Sequence, residues 1–234
     1  MKRYRAFFPL LILLALGVIA IASGALDRFR PEHLAQEQAT LKELIEAHPI
    51  LASLSQIGAM TLSIATGLPG AVVFVLAGGM LFGIVMGTFL STVGLSLGAL
   101  ILFLASRHAF ASHQGVEPPP IVAKLRSGYL AHPFSYTLFL RLVPFFPFGG
   151  VTIALAWLRC PLWLFITATT LGGAAMTGIE TALGAGLSAT IAEEGAVRLD
   201  IIFEPRVLMP MLALAGIALL PVTISLWRKR KRHA

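Results

Sequence analysis

The stretch FLRLVPFFPFGG, residues 139–150, places a permanent positive charge and several helix-breaking residues in apolar sequence. Arg141 lies among aromatic and aliphatic residues, and Pro144, Pro147 and the pair Gly149–Gly150 follow it. Proline cannot donate the backbone hydrogen bond of a helix interior, and buried charge is costly. We therefore predict a helix that breaks in an apolar environment, with a charged group beside the break.

The composition of the chain indicates what that environment is. Of 234 residues, 57% are hydrophobic and 12% are charged, and the mean hydropathy is +0.85. Soluble domains carry about 25% charged residues, so we predict an integral membrane protein. The net charge of +7 does not indicate nucleic-acid binding, because the basic residues cluster at the chain ends and in one loop. The single cysteine, Cys160, excludes an internal disulfide and a multi-cysteine metal site.

Apolar and polar stretches alternate and divide the chain into five parts. We predict an N-terminal transmembrane helix at 1–26, an extracytoplasmic amphipathic segment at 27–49, a membrane core at 50–191, a C-terminal transmembrane helix at 207–227 and a basic cytoplasmic tail at 228–234. The first part has an alternative, because its basic start and apolar run also fit a cleaved signal peptide.

The distribution of basic residues predicts the orientation. The N-terminus, the loop 107–133 and the C-terminal tail are rich in Lys and Arg, which is typical of cytoplasmic segments. Segments 27–49 and 193–206 are mixed or acidic and are placed outside. We predict a multi-pass protein of the inner or plasma membrane with both termini in the cytoplasm. The basic tail fits affinity for anionic lipid better than a nucleic-acid patch.

Two apolar blocks, 50–106 and 134–191, resemble each other. With an offset of 78 residues, Pro69 falls on Pro147 and Gly94 falls on Gly172. Because the first block starts outside and the second inside, the repeat would be inverted. Paired proline- and glycine-broken segments in corresponding halves are typical of transporter sites.

The breaks constrain the fold, because an unpaired backbone group in hydrocarbon costs several kcal/mol. Pro69–Gly70 and Pro144–Gly150 are therefore predicted to be tips that face a shared protein interior. The predicted fold class is an all-α membrane protein, a polytopic helical bundle with two inverted re-entrant (broken-helix) segments. The alternative is a pair of ordinary proline kinks in continuous helices.

Small residues at helical spacing predict close helix packing. Gly79, Gly83, Gly87 and Ser91 recur every four residues, and Gly172 lies on a similar face of the second long helix. We assign Gly79, Gly83, Gly87 and Gly172 to packing. Such faces fit internal packing and a homo-oligomer equally well.

Two charged residues within the apolar blocks are candidate binding residues. The five donors of Arg141 suit a phosphate or a carboxylate, and the alternative is an arginine that extends to the cytoplasmic headgroups. Glu180 is the intramembrane acid. It has three candidate roles, which are a partner for Arg141, a proton carrier, and a neutral acid that joins two helices.

Enzymatic motifs are absent or fortuitous. GLSLG, residues 94–98, matches a serine nucleophile elbow but lies within a predicted spanning helix, where that motif has no function. No histidine pair has metal-ligand spacing, and there is no phosphate-binding P-loop. We therefore predict no enzyme, no metal and no organic cofactor.

GGMLFGIVMGTFLSTVGLSLGALILFLASR (78–107) followed by FLRLVPFFPF (139–148) resembles the DedA-like superfamily, also called SNARE-associated or VTT-domain membrane proteins. Within it, the Golgi transport-vesicle-protein branch is most similar. The resemblance implies two re-entrant segments that face each other from opposite sides. It also implies movement or scrambling of phospholipids, or recycling of polyprenyl phosphate.

The resemblance also assigns residue roles. Arg141 would attract a lipid phosphate, Gly79 and Gly83 would let one tip pack against the other, and the tips would be shaped by Pro69, Gly70, Pro144 and Pro147. DedA proper has a second arginine where this chain has Pro147, and the branch-typical asparagine after FPF is missing. The substrate of DedA proper is therefore not transferred.

The expected function is movement of a phosphate-bearing lipid, a phospholipid or polyprenyl phosphate, with proton coupling through Glu180 as one form of it. The main alternative is a non-transporting membrane scaffold or a trafficking or assembly factor. An intramembrane enzyme acting on lipids is the weakest alternative, because no nucleophile–base pair is present.

Overall fold

The computed structural model describes five parts of the chain, residues 8–23, 40–67, 71–111, 120–142 and 146–194. These parts are helical and contain no strand, which confirms the predicted all-α class. The predicted C-terminal helix 207–227 and basic tail 228–234 lie outside the described residues, as do Pro69, Gly70 and Pro144.

The described residues form eight helical stretches. They are α1 Phe8–Ala22, α2 at 40–47, α3 Pro49–Thr66, α4 Ala71–Ala111, α5 Pro120–Ala131, α6 Pro133–Leu142, α7 Phe148–Trp157 and α8 Leu162–Glu194. By length and composition, helices at Pro49–Thr66, Ala71–Phe110 and Leu162–Ala189 are suited to cross a membrane. This agrees with a membrane protein.

The helix α4 is broken at Gly83, where φ is 76° and ψ is −177°. Only glycine adopts this conformation at low cost. A Cβ built on Gly87 would lie 2.7 Å from the carbonyl oxygen of Gly78, although a straight helix would separate these residues by about 13 Å. The chain therefore folds back at Gly83. Within α4, only residues 84–111 form a continuous helix long enough to span.

The first half of the core begins with α3, and the first turns of α4 pack against it. Proline at the N-terminus of α3 is preorganised for a helix, and Gly67 ends it in the left-handed conformation with φ 68°. Buried Gln56 donates from Nε2 to the carbonyl oxygen of Phe74 at 2.8 Å. Gly78 leaves room for that amide, because a Cβ there would lie 2.6 Å from Gln56 Nε2.

The second half has the same order of helices, with α6, α7 and then the long helix α8. The helices α6 and α7 have 10 residues each, about 15 Å, which is half of what a spanning helix needs. The turn after α7 is a Schellman motif, with Arg159 N–H bonded to Ala156 and Cys160 N–H bonded to Leu155. Arg159 takes the left-handed position with φ 55°.

The long helices of the two halves are antiparallel. Three hydroxyl pairs join α4 to α8, namely Thr88–Thr181 at 2.6 Å, Thr92–Thr177 at 2.8 Å and Ser96–Thr170 at 3.2 Å. Residue numbers fall along α8 as they rise along α4, so the helices run in opposite directions. Hydrogen bonds of this kind join helices in apolar surroundings.

Equivalent glycines make equivalent contacts in the two halves. A Cβ on Gly94 would lie 2.7 Å from Met60 Cβ of α3, and one on Gly172 would lie 3.6 Å from Leu138 Cδ1 of α6. Met60 and Leu138 are separated by the same 78 residues as Gly94 and Gly172. In each half, the shorter helix packs against the long helix at this glycine. The shared contact supports a structural repeat.

The second predicted tip lies close to the end of α3. A Cβ on Gly149, at the start of α7, would be in van der Waals contact with Gly67 Cα at 3.8 Å. Gly67 ends α3, immediately before the proline-glycine tip of the first half. That these segments enter and leave the membrane from one side stays a prediction.

The predicted packing face of Gly79, Gly83 and Gly87 requires a correction. These residues do not share one face, because the helix is broken at Gly83, and a Cβ on Gly83 would meet nothing within 4 Å. Gly87 packs against Gly78 and Gly79, and Gly79 packs against the backbone of Thr181. Gly83 allows the backbone to reverse direction, whereas Gly79 and Gly87 allow neighbouring backbone segments to pack closely.

The helix α2 covers the Gly83 end of the core. Leu41 packs against Ala77 and Met80, and Lys42 Nζ donates to Ser188 Oγ at 3.5 Å. Of the predicted segment 27–49, the structure therefore describes a helical end that contacts the core.

Replacing Gly83 with alanine tests the reversal. We expect Gly83→Ala to lower the free energy of unfolding by about 1–3 kcal/mol, because alanine is strained at this φ and ψ. Gly58→Ala is the matched control, since a Cβ at either position meets nothing within 4 Å and only the backbone differs. If Gly83→Ala and Gly58→Ala have the same free energy of unfolding in detergent, the chain does not reverse at Gly83 as described.

Candidate functional site

Arg141 lies in the last turn of α6 and is buried between α7 and α8, with 5% of its surface exposed. Its Nε donates to Thr169 Oγ1 of α8 at 3.1 Å, and its Nη1 donates to the carbonyl oxygen of Phe148 at 3.4 Å. The second distance exceeds the usual range for N–H···O bonds, so that bond is weak. Arg141 therefore points into the protein and does not extend to the membrane surface.

Two aromatic rings hold the guanidinium group. Its central carbon lies 4.1 Å from the ring centre of Phe148 and 5.1 Å from that of Phe165. Cation–π contacts of this kind offset part of the cost of burying a charge. The rings accept no hydrogen bond in the plane of the guanidinium group, where its donors point.

One nitrogen of Arg141 has no hydrogen-bond partner. Within the described residues, Nη2 is buried and unpaired. Buried polar groups are normally bonded, and an unpaired one is a marker of strain or function. The site thus offers an unused hydrogen-bond donor at a buried cation.

No acid in the described residues neutralises Arg141. The predicted partner Glu180 lies on α8, eleven residues beyond Thr169, which is about 16 Å along the helix. Glu180 is half-buried and has no ion pair within the described parts of the chain. The structure does not bring the two charges together, so the pairing of Glu180 with Arg141 is wrong. Its other two candidate roles stay open.

Cys160, a titratable neighbour of Arg141, and the Tyr129 phenol that interacts with Cys160 are uncharged at neutral pH. Burial raises the pKa of the Cys160 thiol, in the turn between α7 and α8. Burial also raises the pKa of Tyr129 on α5, and its interaction with Cys160 acts in the same direction. A thiol and a phenol with raised pKa values stay protonated, so they do not compensate the charge of Arg141.

Gly172 lets α6 approach α8 at Arg141. A Cβ on Gly172 would lie 2.6 Å from Arg141 Cβ, so no larger residue fits without a shift of α6. This agrees with the predicted packing role of Gly172 and ties it to the position of the arginine.

The other predicted tip residues are only partly described. Pro147 is exposed and directly precedes α7, with φ −61° and an extended ψ of 119°. Pro147 begins the return segment whose Phe148 contacts Arg141. Pro69, Gly70 and Pro144 lie outside the described residues, and their predicted roles stay predictions.

The sequence did not predict the partners of Arg141. Thr169, Phe148 and Phe165 contact the guanidinium group, and none was singled out. Thr169 belongs to the run TATT, residues 167–170, and hydroxyls in an apolar helix are a usable signal. Phe148 and Phe165 carry no such signal, because aromatic residues in a membrane helix usually face lipid or core.

No group of three or more metal-ligating residues occurs in the described parts of the chain. The geometry at Arg141 is suited to hold an anion, since it combines a buried cation, a free donor pair and neutral surroundings.

Comparison with known families gives one match. The family model of the VTT domain matches residues 68–186, which include both tips, Arg141 and the hydroxyl pairs. Neither curated proteins nor solved structures give a match.

A pair of neighbouring substitutions tests the contact at Gly172. We expect Gly172→Ala to lower the free energy of unfolding by about 1–3 kcal/mol, because the new methyl group overlaps the rigid start of the Arg141 side chain. Unfolding of the purified protein in detergent measures this.

Gly173→Ala is the control. Its Cβ would lie 2.8 Å from Leu95 Cδ2, the mobile end of a side chain, so we expect a smaller loss. A loss for Gly173→Ala equal to that for Gly172→Ala would show that Arg141 is not held as described.

Proposed function

Because the chain belongs to the VTT-domain family, which is the family of DedA and SNARE-associated membrane proteins, we propose that it moves a phosphate-bearing lipid across the bilayer. The observation that carries this proposal is the buried, unneutralised Arg141 with its unpaired Nη2. A phosphate oxygen supplies the missing acceptor and the missing negative charge at once. Arginine suits phosphate because its planar fork forms paired, charge-assisted hydrogen bonds.

The burial of Arg141 favours a functional role over a structural one. Its interactions are one hydrogen bond of normal length, one weak bond and two rings. An apolar residue of similar size would fill the same space without a desolvation cost. A residue that is this unfavourable for folding is expected where binding requires it.

The broken segments give the headgroup a place to cross. We propose that the two tips are re-entrant and meet within the membrane, near the contact between Gly67 and Gly149. There the ends of short helices supply unsatisfied backbone groups, which are tolerated only in protein or in a polar cavity. The headgroup passes through this polar region while the acyl chains remain in lipid.

Polar groups continue from Arg141 along the long helices. Thr169 contacts the guanidinium group, and the hydroxyl pair Ser96–Thr170 follows at the next residue of α8. The pairs Thr92–Thr177 and Thr88–Thr181 extend this series for about 16 Å toward the Gly83 end. These hydroxyls lower the cost of a phosphate near the helix interface.

The substrate is a phospholipid or a polyprenyl phosphate, since both carry the group that Arg141 recognises. The step needs no bond to be made or broken, so the proposed activity is not enzymatic. We place the protein in the cell membrane as a multi-pass protein with both termini in the cytoplasm. Proton coupling through Glu180 is a separable part of the proposal, because that residue is remote from the anion site.

Lipid movement in proteoliposomes tests the proposal. Fluorescent phospholipid and labelled polyprenyl phosphate are compared, and we expect wild type to accelerate at least one of them over protein-free vesicles. Arg141→Ala is expected to slow movement about 10- to 100-fold, which corresponds to a lost charge-assisted hydrogen bond of about 1.5–3 kcal/mol. Arg141→Lys is expected to be nearly as slow, because it loses the fork.

Two controls separate function from folding. Arg126→Ala removes an exposed arginine of α5 and is expected to leave movement unchanged. Arg141→Met removes the buried charge and keeps most of the volume, so we expect equal or higher thermal stability with lost movement. Movement by Arg141→Met at the wild-type rate would refute the site. If wild type moves neither lipid, with or without a pH gradient, the scaffold alternative replaces the transport proposal.

A further inference from the structure

We propose that Arg107 is an outer binding residue for the same anionic headgroup, which contacts the phosphate before Arg141 does. This inference rests on the proposed function and adds a second residue to it. Arg107 lies near the C-terminal end of α4 and is exposed, whereas Arg141 is buried. Together they would make a path of two positive charges from the surface to the interior.

A continuous stack of side chains connects the two arginines. The guanidinium carbon of Arg107 lies 5.9 Å from the ring centre of Phe103, and the rings of Phe103 and Phe165 stack with their centres 4.1 Å apart. Phe165 in turn lies 5.1 Å from the guanidinium carbon of Arg141. The order is therefore cation, ring, ring, cation, which fixes both charges on opposite sides of one aromatic pair.

Two contacts restrict Arg107. Its Nη1 makes a long, weak bond to the carbonyl oxygen of Cys160, in the turn that joins α7 to α8, at 3.3 Å, and its guanidinium group lies over the ring of Phe103. The bond uses one of five donors. The remaining donors of this exposed, restricted group can contact a headgroup with a smaller loss of conformational entropy than those of a free side chain.

The local charge balance favours an anion. Arg107 and Arg141 lie against the two rings of one stacked aromatic pair, Phe103 and Phe165, so both cations act on the same small region. The acids among the described residues lie at the other end of the core. They are in α2 and in the part of α8 that begins at Glu180. Two cations without a nearby acid among the described residues produce a positive field, which raises the association rate of an anionic ligand.

A purely structural role for Arg107 is the competing explanation, since its bond to Cys160 ties α4 to the turn. Arg107→Gln separates the two roles. Glutamine removes the charge and also ends short of the position of Nη1, so Arg107→Lys is measured beside it, because lysine is shorter than arginine as well but keeps the charge. If the role is structural, both variants change alike, and if the role is electrostatic, only Arg107→Gln lowers the association rate.

The test is stopped-flow binding of dansyl-labelled short-chain phosphatidic acid to the full-length protein in nanodiscs of zwitterionic lipid. Energy transfer from Trp157 and Trp163, which flank the turn, reports binding. We expect Arg107→Gln to lower the association rate constant about 3- to 10-fold at low salt, and to match wild type near 0.5 M salt, where surface charges are screened. Its dissociation rate is expected to stay unchanged.

Two further variants make the outcome decisive. Arg126→Gln removes an exposed arginine of α5 and is expected to bind as wild type does. Arg141→Met is expected to dissociate faster. If Arg107→Gln matches wild type in association rate and salt dependence while Arg141→Met dissociates faster, this inference is overturned and the proposed function stands. If wild type does not bind the probe, the proposed function is overturned as well.

Discussion

The need to pair every backbone group inside hydrocarbon is the constraint on which this structure depends. Helices that end within a membrane must direct their open ends at protein or at a polar cavity. In this chain, the end of α3 at Gly67 and the start of α7 at Gly149 come into contact. Glycines occur where helices of the core pack closely, because a short helix can lie against a long helix at this distance only where no side chain intervenes.

The second consequence concerns Arg141. Thr169, a weak bond to the Phe148 carbonyl and two rings contact the guanidinium group, and among the described residues these contacts satisfy it incompletely. A fully bonded arginine would be a structural element only, whereas the proposed anion binding rests on this incomplete satisfaction.

Several features of the fold were predictable from the sequence because they depend on residue type alone. The all-α class, the end of α3 before Pro69 and the burial of Arg141 follow from hydropathy, helix-breaking residues and the cost of a lone charge. The reversal at Gly83 was not predicted, because a glycine at helical spacing looks the same whether it packs or turns the chain. The Arg141–Glu180 pair was wrong, because two charges within apolar blocks do not define which end of a long helix each occupies. The rings around Arg141 depend on three helices meeting, which no local pattern encodes.

A direct measurement of the contact between Arg141 and lipid phosphate tests the central claim. Solid-state nuclear magnetic resonance on the protein with ¹⁵N-labelled arginine in anionic phospholipid detects guanidinium groups that ³¹P dephases at close range. The Arg141 signal is the one that Arg141→Met removes. We expect lipid phosphorus to dephase this buried signal. An Arg141 signal that stays undephased, while the exposed arginines are dephased, would contradict it.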